Sequence, residues 1–138
     1  MKVVCDTNVL ISGILFGGHA RAILSLAAQG AIVNCISPDI LREMGEVLAR
    51  PKFDLSPDQV SGILQLLGDS FETARPAARV AAIKTDDSDN RILEAAWAAG
   101  AKCIVSGDKD LLNLRAWRGI RILSPADFMA ERSAVTPP

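Results

Sequence analysis

The stretch that most constrains this chain is Val3-Val4-Cys5-Asp6-Thr7-Asn8. A short β-branched run stops at a carboxylate, and apolar residues then resume at helical spacing through Val9, Leu10, Ile14 and Leu15. A buried strand that hands over to a helix at an acid is a familiar way to set chemistry at the rim of an α/β sheet. Asp at such a switch binds a cation, attacks as a nucleophile, or simply caps the helix. For an isolated Asp the cap is the better reading. What matters is whether other acids converge on Asp6.

The rest of the chain supplies the elements for such a sheet. Gly17-Gly18 breaks the first helical pattern, and a second helix is expected over 19–29, closed by Gly30 in left-handed conformation. Residues 31–36 read as a strand. Ser37-Pro38-Asp39 is a helix start with Ser as cap, Pro in the first turn and Asp at the positive end. That helix buries Ile40, Met44, Val47 and Leu48, with Glu43 and Glu46 beside the stripe, and Pro51 ends it. Ser56-Pro57-Asp58-Gln59 opens another, through a capping box, and Arg75-Pro76 stops it. Val80–Ile83 reads as a short extended segment.

Thr85-Asp86-Asp87-Ser88-Asp89 is the densest acidic run. It leads into a helix carrying Ile92, Leu93, Ala96 and Trp97, closed by Gly100. Cys103–Val105 is a buried strand ending in Ser106-Gly107-Asp108-Lys109-Asp110, before a short helix through Leu111, Leu112 and Leu114. Residues 120–123 form a last strand, and Ser124-Pro125 opens a final helix anchored by Phe128. The alternation predicts an α/β fold: a central, mostly parallel sheet covered on both faces.

With 138 residues and 49% hydrophobic content, the chain is one domain with a proper core. Residues 1–132 are expected to form it, and 133–138 a flexible tail. A net charge of −1 leaves no global basic signature, so any nucleic-acid contact must be local. Cys5, Cys35 and Cys103 lack metal-ligand spacing and read as reduced core residues. With no signal-peptide pattern and no membrane-length apolar run, the expectation is a cytoplasmic protein without membrane contact.

Asp6 and Asp108 follow strands and so belong on the carboxyl edge of the sheet, where ligands bind. Asp89, in the first turn of its helix, reaches that edge only if the preceding segment arrives there, and taken alone it is better read as a helix-dipole partner. Glu43 lies one to two turns into its helix, near enough to reach back over the rim, although alone it reads as a solvated face. Asp86 and Asp87 read as loop residues, and His19 is assigned no role. Crowded carboxylates repel, and a divalent cation removes the conflict. Oxygen ligands without His or Cys select Mg²⁺ or Mn²⁺ over zinc. Such a site suits metal-assisted phosphodiester hydrolysis.

In order along the chain, these motifs resemble the PIN (PilT N-terminal) domain family. Asp6-Thr7-Asn8-Val9-Leu10-Ile11-Ser12 is similar to its opening motif and Glu43 to its second acid. Asp89-Asn90 before Ile92-Leu93 is similar to the third acid, and Ser106-Gly107-Asp108-Lys109-Asp110 to the fourth. The resemblance, which covers nearly the whole chain, implies a three-layer α/β/α fold and a Mg²⁺- or Mn²⁺-dependent endoribonuclease. It is nearest to VapC-like toxins of toxin–antitoxin pairs, which implies RNA as substrate, a small antitoxin as partner, and a homodimer. Carried over, Asp6, Glu43, Asp89 and Asp108 are the catalytic acids, with Asp6, Asp89 and Asp108 on the metal and Glu43 on a second metal or the water. Thr7, Asn8 and Ser106 match polar positions that order the site; Ser106 stands where Thr is usual. Asp110 substitutes for or assists Asp108. Arg50, Lys52 and Lys109 are the candidates for RNA phosphate contacts.

Two other readings fit part of the pattern. A phosphatase of the haloacid-dehalogenase type uses a strand-end Asp nucleophile but wants a second Asp two residues on, where Asn8 stands. A non-catalytic, receiver-like Mg²⁺-binding module needs paired acids beside Asp6, and these are missing.

Overall fold

The computed structural model describes residues 1–83 and 87–135. The chain runs β1 (Lys2–Cys5), α1 (Thr7–Leu15), α2 (Gly18–Ala28), β2 (Val33–Ile36), α3 (Pro38–Leu48), a 3₁₀ turn (Pro51–Phe53) and α4 (Pro57–Ser70). It continues through β3 (Glu72–Thr73), α5 (Asp87–Ala99), β4 (Cys103–Val105), α6 (Lys109–Leu114), β5 (Ala116–Trp117), β6 (Ile120–Leu123) and α7 (Pro125–Val135). The strands form one sheet in the order β3-β2-β1-β4-β6-β5, parallel except for the β5–β6 hairpin at one edge. The expected α/β/α architecture with a mostly parallel sheet is therefore present.

The order matters for function. From the central β1 the chain moves outward to β2 and β3, then returns to lay β4 on the other side of β1. The carboxyl ends of β1 and β4 thus flank the topological switch point, the crevice where open α/β sheets bind ligands. Val3, Val4, Ile104 and Val105 are completely buried there, as strands covered on both faces require. Asp6 continues the pairing by donating its N–H to the Val105 carbonyl at 3.0 Å.

The local signals at helix starts hold. Ser37 and Ser56 cap α3 and α4, the latter with a complete capping box to Gln59. Gly30 and Gly100 take positive φ after α2 and α5. Gly13 lets α1 and α2 touch: a Cβ there would lie 2.6 Å from Leu24 Cδ1 and 3.0 Å from the Ala20 backbone.

Four expectations need correction. Val80–Ile83 is not a strand, because side chains take its backbone groups: Glu94 and Asn90 accept from the N–H groups of Val80 and Ile83, and Arg91 and Asn90 donate to their carbonyls. The α4 helix stops at Ser70, not at Arg75; Phe71 turns extended so that β3 can pair with Cys35 and Ile36. Asp87 opens α5 and is not a loop residue. The last helix reaches Val135, past the expected tail boundary at 132; residues 136–138, like Thr85 and Asp86, lie outside the described residues.

The three cysteines are free and buried. Burial pushes all three thiols up, Cys35 to about 11 and Cys103 to about 12, so they remain neutral core groups. No single helix among the described residues is long and apolar enough to cross a membrane.

Candidate metal centre

Asp6 is both a cap and a member of an acidic site. Its Oδ1 accepts from the Val9 N–H at 2.8 Å, closing the first turn of α1. Its Oδ2 accepts the hydroxyl hydrogen of Ser106, one hundred residues away in sequence. Asp6 is only 6% exposed. Burial raises its carboxyl above the ordinary range, and the nearby Asp108 charge adds to the rise, while hydrogen bonds from Ser106 and the Val9 and Gly107 backbone oppose it.

Ser106, wholly buried, does two things with one hydroxyl. It donates to Asp6 and accepts from the Asp108 N–H at 2.9 Å, so it fixes the turn after β4 against the turn after β1. Asp108 then caps α6: its Oδ1 accepts from the N–H groups of Asp110 and Leu111 at 2.8 and 3.2 Å. One carboxylate oxygen is committed to the helix, and the side chain is held in place by it.

Asp89 reaches the same edge. Asn90, the next residue, hooks both backbone groups of Ile83, which brings the chain ahead of α5 to the rim. Asp89 is 6% exposed, and one carboxylate oxygen each from Asp89, Asp108 and Asp110 lie within 4.8 Å of one another. Glu43 arrives from α3, where the Thr7 hydroxyl donates to its Oε2 at 2.7 Å. Thr7 is buried next to Asp6, so this bond ties the second acid to the first.

The fit of a cation rests on the donor set. Octahedral Mg²⁺, with bonds of about 2.0–2.1 Å, keeps its donors roughly 3–4 Å apart. The trio gathers its oxygens within 4.8 Å of one another, near that spacing. All three donors are hard oxygens, the chemistry that suits a hard divalent cation. Asp110, read from sequence as a possible assistant, is a full member of the trio. Asp6 stands beside the trio, joined to it through Ser106.

The remaining candidates divide. Asn8 is exposed in the first turn of α1, and Lys109 is exposed directly after Asp108. Arg50 and Lys52 lie past the far end of α3, Lys52 over the Phe53 ring at 5.1 Å. From Glu43 to the end of α3 at Leu48 is roughly 8 Å of helix leading away from the rim, and Arg50 and Lys52 lie beyond it. The structure does not bring these two cations to the acids.

Residues 2–110 match the PIN domain family. This chain is a PIN domain protein. Uncharacterized protein MJ1680 of Methanocaldococcus jannaschii is 35% identical over 123 residues, spanning 83% of this chain and 76% of that protein. PIN domains are generally nucleases that use divalent metals, and this PIN domain carries an acidic cluster of Asp89, Asp108 and Asp110. A dehalogenase-type phosphatase or a receiver-like module is not favoured.

Sequence reasoning missed the groups that hold this PIN domain's rim in place. Glu94, 2% exposed, accepts from Val80 N–H, Arg79 and Arg91, and Arg79 also pairs with Asp39 at 3.0 Å. The only signal was the density of arginines around an acid in mid-helix, and it does not specify partners.

Proposed function

We propose that this PIN domain is a Mg²⁺- or Mn²⁺-dependent endoribonuclease, the toxin of a toxin–antitoxin pair. On this reading it acts in the cytoplasm as a homodimer restrained by a small antitoxin. The observation that carries the nuclease reading is the gathering of Asp89, Asp108 and Asp110 within 4.8 Å, beside Asp6, at the switch point of the sheet. The toxin role, the dimer and the antitoxin rest on the resemblance of the motifs.

Asp89, Asp108 and Asp110, with Asp6 adjoining, would hold the cation. A cation held there would supply Lewis acidity and would favour ionisation of a nearby water. Glu43, held by the Thr7 hydroxyl, would bind a second cation or orient the attacking water. Ser106 keeps the Asp6 and Asp108 turns in register, so the acids meet substrate already positioned. Burial around Asp6 and Asp89 lowers the local dielectric and strengthens each of these interactions.

The test is cleavage of single-stranded RNA by the purified protein with Mg²⁺ or Mn²⁺ and with EDTA. Cleavage that stops in EDTA and returns with the metal is expected. Cleavage unchanged in EDTA removes the metal mechanism, and cleavage of DNA alone removes the ribonuclease. Co-purification with the product of a small adjoining open reading frame tests the toxin role, and sedimentation tests the dimer.

A further inference from the structure

Four neighbouring cavities share lining residues in series, from Glu43 to Trp97 and Arg118. The first, beside Glu43, is a cavity of about 200 Å³ lined by the acids Asp39, Glu46 and Asp87 as well as by Arg42, Arg79 and Arg91. It shares Arg79 and Asp39 with a second cavity of about 320 Å³, which shares Arg75 and Arg79 with a third of about 370 Å³. That third cavity reaches Trp97 and Arg118, which it shares with a fourth of about 320 Å³ bordered by Lys102.

At the end of this path Trp97 and Trp117 meet edge to face, with ring centroids 6.2 Å apart. The Arg118 guanidinium lies over both rings, 4.9 and 4.3 Å from their centroids. Arg118 and Gly119 form the β5–β6 turn with φ of 50° and 80°, a conformation that favours Gly or Asn and costs an arginine. A guanidinium held over aromatic rings by cation–π attraction still has N–H donors to offer to phosphate oxygens. Among the described residues, Arg75, Lys102 and Arg118 have no carboxylate partner, whereas Arg42, Arg79 and Arg91 do. Unpaired positive charge therefore increases with distance from the acids.

We propose that the groove from Glu43 to the Trp97–Arg118–Trp117 cluster holds the single-stranded RNA flanking the cleaved phosphate, with a base stacked on Trp97 and phosphates on Arg75, Arg118 and Lys102. This rests on the nuclease reading above. It fits a polyanion whose cut phosphate sits at the acidic end while its flank needs cations and an aromatic face. Trp97 is 55% exposed, and of the other exposed large apolar side chains, Met1, Phe16, Val33 and Leu66, none borders the groove. A stacked base suits one such ring; a protein partner would want a contiguous apolar patch.

The protein carries its own probe, because Trp97 and Trp117 are its two tryptophans and it has no tyrosine. In EDTA, where the strand stays intact, titration of the wild type with an oligouridine of about ten nucleotides should quench tryptophan fluorescence. The quench should weaken steeply with salt. Trp97→Ala and Arg118→Ala should each raise KM for a long RNA roughly tenfold, the scale of one lost base stack. Arg118→Lys, which keeps charge but not the planar stack, should fall between. Quenching without cleavage in Mn²⁺ would sustain the groove and sink the nuclease. Cleavage with no quench and unchanged KM in both variants would sink the groove and leave the nuclease standing. Quenching by an antitoxin but not by RNA would also overturn the proposal, making the surface a protein interface.

Discussion

The Thr7 hydroxyl donates to Glu43 Oε2 at 2.7 Å, joining the first residue of α1 to the second turn of α3. Thr7 is buried and Glu43 half-buried, so this bond decides where the second acid points. Thr7→Val keeps the shape and removes the donor. A hydrogen bond to a charged group contributes about 1.5–3 kcal/mol, so RNA cleavage should fall roughly tenfold or more, with the fold intact by circular dichroism. Thr7→Ser should recover most of the rate. Wild-type kinetics in Thr7→Val would show that Glu43 is positioned by something else.

Asp6→Asn separates the cap from the metal site. Asn caps helices about as well as Asp, so the first turn of α1 should survive. Burial raises the Asp6 carboxyl, so its charge opposes folding when no metal is present. The sign follows from linkage. A group whose folded pKa is raised stabilises below its unfolded value, and that stability is lost as pH rises through the folded value. In EDTA, wild type should therefore lose stability relative to Asp6→Asn as pH rises from about 4, where free Asp titrates, towards neutrality. Melting both proteins across that range checks it; parallel curves would mean that Asp6 carries no such burden.

Metal binding should register as stability. A ligand that binds only the folded state at 100 times its Kd stabilises by about 2.7 kcal/mol. Mn²⁺ should thus raise the wild-type Tm. Asp89→Asn, Asp108→Asn and Asp110→Asn should each shrink that rise, because each contributes an oxygen to the trio. An Asp110→Asn protein that responds like wild type would leave Asp6 to complete the ligand set.

Asn90→Ala should be among the costlier changes near the site. It leaves both backbone groups of buried Ile83 without their partners. At about 1–3 kcal/mol for each of the two unsatisfied groups, chemical denaturation should show a loss of about 2–6 kcal/mol. A loss below 1 kcal/mol would mean that water replaces the amide.

Gly13→Val tests the contact between α1 and α2. Even a Cβ meets Leu24 and the Ala20 backbone, and Val adds two methyl groups. Overpacking costs about 1–3 kcal/mol, and urea denaturation should show it.

What was legible in the sequence was local. Asp6, Ser37, Ser56 and Asp108 each announce a strand end or a helix start within a few residues, because capping acts over three or four positions. Asp6 and Asp108 could be placed on the carboxyl edge because each follows a strand of a parallel sheet, whereas the arrival of Asp89 there depended on a tertiary contact that the sequence does not specify. The two-residue strands Glu72–Thr73 and Ala116–Trp117 could not be read, since no period exists in two residues. The clamp of Arg79 on Asp39 and Glu94, and the hook of Asn90 on Ile83, join residues by tertiary approach, which leaves no spacing to detect. The membership of Asp110 in the trio was visible only as proximity to Asp108.

The central strand of the sheet is the first to be synthesised. β1 must wait for β4 before its second edge is covered, and Asp6 for Ser106 and Asp108 before its neighbours exist. A chain released from the ribosome exit before residue 110 carries the opening acid with an unfinished sheet and no closed cluster around it. The acidic cluster thus closes only after Asp110, the last of its acids in sequence, has joined the chain.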